Sequence, residues 1–573
     1  MSQAELPVQW LMGSGEEPGS PVFSDGRFRR DVASFTMETG TKIEIVTDTV
    51  LSCAMRHNFV SVSFDGDGEV EFRFLGGSAQ RCARGVVIRS GDGQRLLWLP
   101  RGPVAREYEQ YGRIVSETSL PPDVRQEGES CVLRLRPSGG RCVELAAVCF
   151  MRDTESVLRQ IEDVEPVETV PVGKARWFRY TSLCDAWDSL VRGDVYKTRN
   201  AKAGKAWPDQ QLALTLYRHL AFLAGRTVKI LYEALAELIA YEVLLSMPQD
   251  GRWRHGAATD LMETHLRHQI DGIHLLLCHY QKTGQSLFLK RAQQGADVLL
   301  NLAQPLQQNG LWFLHDSLEC RLDDARLGYR SLQLSRAFGK SESNTLCLNT
   351  HVWTLVLLHR LNQIEPQQRY EQAYDAGLRT LETVLKAGPG TIRYGAAYKV
   401  RELLIRVALR TGSTKCRNLL RRCETYMEDV LLPRWKRDKP RLRMPGGYIE
   451  RDLCASCLSD GYHFVTLRDL LVLYLTTGSE WLRPIIDKSV RFTLRSRLAE
   501  YRAPYEPRAA FLVDILWLYA YAVHRRPPRY LPDLMQFFLR HDLLLSADLL
   551  GSQLTPELPE ELFAEYMHLV QSE

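Results

Sequence analysis

The stretch from Asp250 to Gly284 concentrates side chains able to move protons and hold anions. The imidazoles of His255, His265 and His268 change charge near neutral pH and can act as acid or base. Arg252 and Arg254 offer rigid forks for a carboxylate or phosphate, and Trp253 offers a flat apolar face for a sugar ring. Similar groups return later in the chain: Trp312, His315, Asp316, Arg326, Tyr329 and Arg330; then Asn349, His351 and Trp353; then Arg441, Arg443, Tyr448, Glu450, Arg451 and Asp452, followed by Tyr462 and His463. Aromatic faces, guanidinium forks and titratable groups in that mixture suit an anionic carbohydrate. The expected acids and bases are Tyr462, His463, His255 and His315, with Arg252, Arg254 and Arg451 as carboxylate clamps. Trp253, His265, His268, Trp312, Tyr329, Asn349, His351, Tyr448 and Glu450 are expected to contact substrate. No metal or cofactor is expected. On a helix Glu263 points away from His265 and His268, and the Cys454/Cys457 pair has no second pair at zinc-site spacing.

These groups need elements to bring them together. From about Asp260 to Lys282 the pattern is helical, with Leu266, Ile270, Ile273 and Leu277 at i, i+4, i+7 and i+11. His265, His268, Gly272 and His279 lie on roughly the opposite side, a candidate cavity wall. The helix ends at Thr283-Gly284, and the same turn design returns at Thr411-Gly412 and Thr477-Gly478, each with Gly at the end of one helix and Ser or Thr just after it to cap the next. Further short turns at Ala224-Gly225, near Asn362 to Pro366 and near Arg525 to Pro528 make six helical hairpins. The longer connections, at about 248–260, 305–345, 388–395 and 433–460, alternate with the short ones. They therefore all fall at one end of the array. The arrangement predicts an (α/α)6 toroid over residues 207–573 with its loops framing a mouth, an open solenoid being the alternative.

Ahead of the helices, residues 22–152 alternate apolar and polar in short runs such as KIEIVTDTV and EVEFRFLGG, broken by Asp-Gly and Gly-Gly turns. That period predicts an antiparallel β-sandwich. Residues 1–21 read as a flexible lead-in and 153–206 as a connector, giving an α+β multidomain chain. At 573 residues, a single core is too small a container. A formal net charge of +4 gives no argument for nucleic acid. No basic leader precedes an apolar core and no run of about 18 apolar residues occurs, so the chain reads as cytoplasmic without a transmembrane segment. Thirteen cysteines, an odd number, fit reduced thiols better than a disulfide framework.

Two segments resemble the glucuronyl C5-epimerases. CLNTHVWTLVLLHRL, from Cys347 to Leu361, is similar to the segment in which a Leu-Asn pair opens a helix, although Asn349 is followed here by Thr350-His351 where that family has Gly. DGYHFVTLRDLLVLYLTTGSEWLRPIIDKSV, from Asp460 to Val490, resembles the family's Tyr-His helix near the C-terminus. The order of β-rich region and helical array is also similar. The resemblance implies a substrate containing uronic acid, an acidic polysaccharide or its lipid-linked precursor, and it carries over Asn349, Tyr462 and His463. Epimerisation and elimination share their first step, removal of the proton beside the carboxylate. Two alternatives stay open: a glycoside hydrolase using two of Asp316, Glu450 and Asp452, and a non-catalytic glycan-binding scaffold. Oligomeric state is not legible.

Overall fold

The computed structural model describes residues 21–170, 183–191 and 210–520, less short internal stretches such as 455–459. The lead-in up to residue 20, much of the connector, Arg330, Cys457 and the expected turn near Arg525 to Pro528 lie outside the described residues. Packing divides the rest into two compact units, one of residues up to 170 together with 183–246 and one from residue 247 onward.

In the first unit, strands whose side chains alternate in and out pair antiparallel throughout. A ten-stranded sheet has Cys142–Phe150 near its middle, paired with Met55–Ser63 on one side and with Leu96–Leu99 and Val104–Glu109 on the other. A three-stranded sheet is built from Val70–Leu75, Ser130–Leu135 and Asp123–Glu127. Ile43, Ile45, Val60, Val62 and Leu145 of the first sheet share one apolar core with Phe72, Phe74 and Leu133 of the second. The antiparallel region predicted from period-two alternation is present.

Two helices, α1 (Gln210–Arg226) and α2 (Ile230–Ser246), belong to this unit. From Leu231 to Leu244 every α2 residue but Glu233 is buried. A helix apolar all round needs cover on every side, and α1 and the sheet supply it together. Tyr241 stacks on Phe28 at 4.2 Å and 5°, and its hydroxyl donates to Asp25. Arg27 pairs with Glu237 at 2.9 Å, and Arg30 bridges Asp48 and Glu242. Packing thus sets this first helical hairpin, expected to begin the helical array, with the sheet.

The second unit holds most of the roughly fourteen helices found from Gln210 onward among the described residues. The longer ones are α3 (Leu266–Thr283), α4 (Ser286–Asn301), α5 (Leu348–Ile364), α6 (Gln368–Lys386), α7 (Thr391–Arg410), α8 (Thr414–Tyr426), α9 (Asp460–Thr477), α10 (Arg483–Ser496) and α11 (Phe511–Tyr519). The repeated turn has a common mechanism. Thr283 and Thr477 each return their hydroxyl to the carbonyl four residues back, and Gly284 and Gly478 turn the chain at φ of 73° and 65°. At the third site Gly412 is not left-handed, and Ser413 caps α8 instead.

Helix α3 begins six residues later than its periodicity predicts. Leu266 donates its N–H to the His315 carbonyl, Ser317 donates to that of Thr264, and His265 pairs with Asp316 as an isolated antiparallel bridge. Residues 264–265 are claimed by this extended pairing. Helix α3 is also buried nearly all round, and His279 packs on Phe288 of α4 at 4.4 Å, so the expected histidine stripe is not one continuous face. Among the helices, α3 packs on α4 and α5, α5 on α6 and α9, and α9 on α10 and α11. Helix α5 meets α9 directly, while α7 packs on α8 and α10. This order departs from the even succession that a ring of six hairpins predicts.

The loop from Leu442 to Leu453 reverses at Gly447, whose φ is 114°, with Met444 and Tyr448 paired across it. A Cβ at Gly447 would lie 2.9 Å from the carbonyl carbon of Lys488 and closer still to its oxygen, whereas one at Gly478 meets nothing within 4 Å. Gly447→Ala is expected to destabilise the fold by roughly 3 kcal/mol, from left-handed strain and backbone collision together, and Gly478→Ala by only about 1 kcal/mol. Urea denaturation of the two variants checks the contrast.

Candidate functional site

The second unit brings four of the expected histidines together. His255 comes from the loop before α3, His265 and His268 from its start, and His315 from the segment after the strand Gly310–Phe313. Ring centroids lie 5.1 Å apart for His255 and His268, 4.8 Å for His265 and His268, and 4.5 Å for His265 and His315. The local backbone enforces this closeness. The N–H groups of His255 and Gly256 both donate to the Glu263 carbonyl, and that of His265 donates to Nδ1 of His255 at 3.0 Å.

His315 connects this cluster to a cation. Arg451 Nη2 lies 2.7 Å from His315 Nε2, and Thr350 Oγ1 lies 3.0 Å from Nδ1. A guanidinium can only donate, so Nε2 accepts, Nδ1 carries the proton and the imidazole is neutral. Burial and the Arg451 charge both hold the His315 pKa down. The guanidinium carbon of Arg451 sits 4.3 Å from the ring centre of Tyr462, and that of Arg508 lies 4.5 Å from the same ring. Asp452 is 3.5 Å from Arg451 Nε.

His265 has a different environment. Its Nδ1 is buried with no hydrogen-bond partner among the described residues. Burial, and then the neighbouring His315, His268, His255 and Arg451, keep its pKa well below 6.5, so it stands as a neutral imidazole with a lone pair to offer. Tyr329 donates its hydroxyl to Asp316, and burial followed by Asp316 raises its pKa well above 10. Beneath His315, Glu319 accepts the His315 N–H at 2.8 Å and both donors of Thr345, and burial pushes its carboxyl up to about 8.

Other expected site residues are placed elsewhere. His463 is a core histidine: its Nδ1 accepts from the Ile449 N–H and its Nε2 meets Thr493 Oγ1, both at 3.0 Å, with Tyr448 stacked on it at 4.7 Å. His351 accepts from the Phe313 N–H, donates to the Gly377 carbonyl and stacks on Trp312 at 3.9 Å. Asn349 is buried and accepts from Cys347 Sγ. Glu450 is held by Lys436 at 3.0 Å and Tyr398 at 2.5 Å, and Tyr448 donates to Asp460. Trp253 is buried, while Arg254 pairs with Asp250 on the surface and the backbone N–H of Arg252 donates to the same carboxylate. His463, His351 and Glu450 have their polar atoms bonded within the fold, whereas the indole N–H groups of Trp253 and Trp312 are buried without a hydrogen-bond partner among the described residues.

Sequence reasoning missed Thr350, which sets the His315 tautomer, and Arg508. It also missed a buried network next along α3, α5, α9 and α11. Arg267 pairs with Asp469 at 2.7 Å, Trp353 Nε1 donates to Asp271 at 2.8 Å, and Arg468 lies 3.4 Å from Asp514. Thr350 stands inside the quoted Asn-Thr-His segment and was open to notice; Arg508 has no local motif. Among the described residues, no group of three or more His, Cys, Asp or Glu side chains is arranged to hold a metal ion. The described cysteines are thiols.

No known family matches the chain's sequence, and no curated protein does. Among solved structures, the Lin0763 protein from Listeria innocua is 12% identical, with 72% of this chain and 93% of that one covered at a TM-score of 0.32. The polysaccharide lyase BACCELL_00875 is 10% identical, with 82% and 81% covered at a TM-score of 0.24. Likeness at that level is too slight to carry an argument about activity.

Burial holds His351 at about 3 and His463 at about 4. Once unfolded, both become ordinary imidazoles that take up protons below about 6.5. The unfolded chain therefore binds more protons, and stability falls as pH drops from about 6.5 towards 4. The slope approaches roughly 1.4 kcal/mol per pH unit for each histidine. Glu319 acts in the opposite sense, its contribution falling as pH rises from about 4.5 to 8. We expect the imidazole NMR shifts of His351 and His463 to stay constant from pH 7.5 to 5, while the urea midpoint falls below pH 6.5.

Proposed function

We propose that the chain acts on a uronate-containing glycan, or a lipid-linked precursor of one, by removing the proton beside the uronate carboxylate. The observation that carries this reading is the Arg451 guanidinium, held between the His315 lone pair and the face of Tyr462. Neither of these partners is a carboxylate, and Asp452 pairs with Arg451 only loosely at 3.5 Å, which supports a share of the cation being left for a ligand anion. Helices α3, α5, α9 and α11 serve in this reading as the inner wall of an incomplete (α/α) toroid.

In the proposed reaction Arg451, with Arg508 nearby, binds the carboxylate and stabilises the enolate that forms when C5 loses its proton. His265 Nδ1, neutral and without a partner, receives that proton. The C5–H electron pair then follows one of two courses. It takes a proton from the Tyr462 phenol on the other ring face, giving the C5 epimer, or it forms a C4–C5 double bond as the C4–O bond breaks and Tyr462 protonates the leaving oxygen. His315 positions Arg451, and Tyr329 with Asp316 borders the site. Hydrolysis finds less support, since Glu450 and Asp316 are committed to Lys436 and Tyr329.

Uronate polymers in deuterated water distinguish the outcomes. New ultraviolet absorbance marks elimination, and deuterium at C5 without cleavage marks epimerisation. His265→Ala and Tyr462→Phe are each expected to lower kcat by about 10²–10⁴-fold, and Arg451→Gln to raise KM as well. Binding without either product, unchanged in all three variants, would favour the scaffold alternative and sink this one.

A further inference from the structure

The hairpin α7–α8 carries an apolar surface that the described residues leave exposed. On α7, Ile392, Val400, Leu403 and Val407 are 88%, 50%, 61% and 39% exposed. At 100° per residue they fall within about 80° of one another around the helix. The opposite side, including Tyr394, Tyr398, Arg401 and Ile405, is buried. This helix is therefore apolar on two faces, only one of which is buried. Helix α8 and the π-turn that continues it repeat the pattern. Leu419, Cys423, Tyr426 and Val430 recur at i, i+4, i+7 and i+11, with Leu419, Tyr426 and Val430 at 62%, 60% and 50% exposure. On α8 only Glu424 is buried.

The same segment is strongly basic. Residues 391–439 contain thirteen Lys and Arg against five Asp and Glu, a net of +8 in a chain whose total is +4, so all remaining residues sum to −4. Exposed Lys399 and Arg410 share the apolar side of α7, and exposed Lys415 and Arg422 flank the apolar stripe of α8. Positive charge beside unburied aliphatic side chains on paired helices narrows the choice of partner. A symmetric contact between two copies would set +8 against +8. A nucleic acid would neutralise the charge but leave the aliphatic side chains in water. An anionic bilayer surface satisfies both, with lysine and arginine heads at the phosphates and leucine and valine in the acyl boundary.

We propose that the α7–α8 face is a docking surface for an anionic lipid membrane. Contact is peripheral, since no helix among the described residues is long and apolar enough to cross a bilayer. This inference does not depend on the reading of the histidine cluster, and its test requires no turnover.

The full chain is sedimented with vesicles of phosphatidylcholine alone and of phosphatidylcholine mixed with phosphatidylglycerol. Binding is expected only to the mixed vesicles, weakening as salt rises. Replacing Lys399, Arg410, Lys415 and Arg422 by Gln should weaken it by roughly five-fold per charge. Leu403→Ser with Leu419→Ser, which leaves every charge in place, should weaken it by about ten-fold or more. All substituted residues are exposed, so circular dichroism and the melting temperature should match the parent. Equal binding to both vesicle types, or none to either, overturns the proposal. So does mixed-vesicle binding that the serine variant retains in full, alongside equal affinity for duplex DNA, which would make the face a polyanion site. A concentration-dependent dimer in sedimentation velocity that the serine variant abolishes would assign the face to a second copy and also overturn it.

Discussion

A half-buried guanidinium must find partners, and those of Arg451 tie together several parts of the second unit. Its neighbours are a neutral imidazole, a phenol face and a carboxylate 3.5 Å away. Had a carboxylate stood at 2.7 Å where His315 stands, the pair would be a closed ion pair with little left for a ligand. Because His315 accepts through Nε2, it must donate through Nδ1, and Thr350 Oγ1 is there to receive. The tautomer, the cation and the threonine on α5 form a single chain of dependence. The loop that delivers Arg451 is fixed by the same helix, for the Leu348 N–H at the start of α5 donates to the Arg451 carbonyl at 2.7 Å. One unsatisfied donor of a helix end thus locates the backbone of the residue that binds His315.

Rigidity around this point comes from buried polar pairs. Arg267 with Asp469, Trp353 with Asp271, and Arg468 with Asp514 join α3, α5, α9 and α11. Arg401, Arg502, Asp460 and Glu424 form a second network around the α7 and α9 contacts, with Arg401 2.5 Å from Asp460. Such pairs add little net stability over apolar packing, but losing one partner leaves a buried charge unmet. They therefore favour one register of the helices over its neighbours. The hairpin α7–α8 is tied in at one face only, and its outer apolar residues remain uncovered.

Much of this was legible in the sequence where local physics governs. Alternation in Lys42–Val50 and Val70–Leu75 marked strands, and the Thr-Gly turns at 283 and 477 marked hairpins with the hydrogen bonds their residues suggest. Residues 255, 315 and 451 were each read as lying on long loops, and His255 and His315 reach the same cluster with Arg451 bonded to His315. Burial was not readable. His351 and His463 were expected at the site beside His265, yet their two ring nitrogens are matched by Phe313, Gly377, Ile449 and Thr493, all distant in sequence. Which ring nitrogens find a partner depends on residues distant in sequence, and no local pattern encodes that. The start of α3 was misjudged for a related reason: the pairing of His265 with Asp316 outweighs helical periodicity there.

In the function proposed above, Arg451 and its neighbours recognise a carboxylate on a sugar. Isothermal titration of the full chain with a uronate oligosaccharide, and with the same oligosaccharide after reduction of its carboxylates to alcohols, isolates that group from the rest of the ligand. The account predicts that the acidic oligosaccharide binds and the reduced one binds at least about ten-fold more weakly. Equal affinity for the two would contradict it.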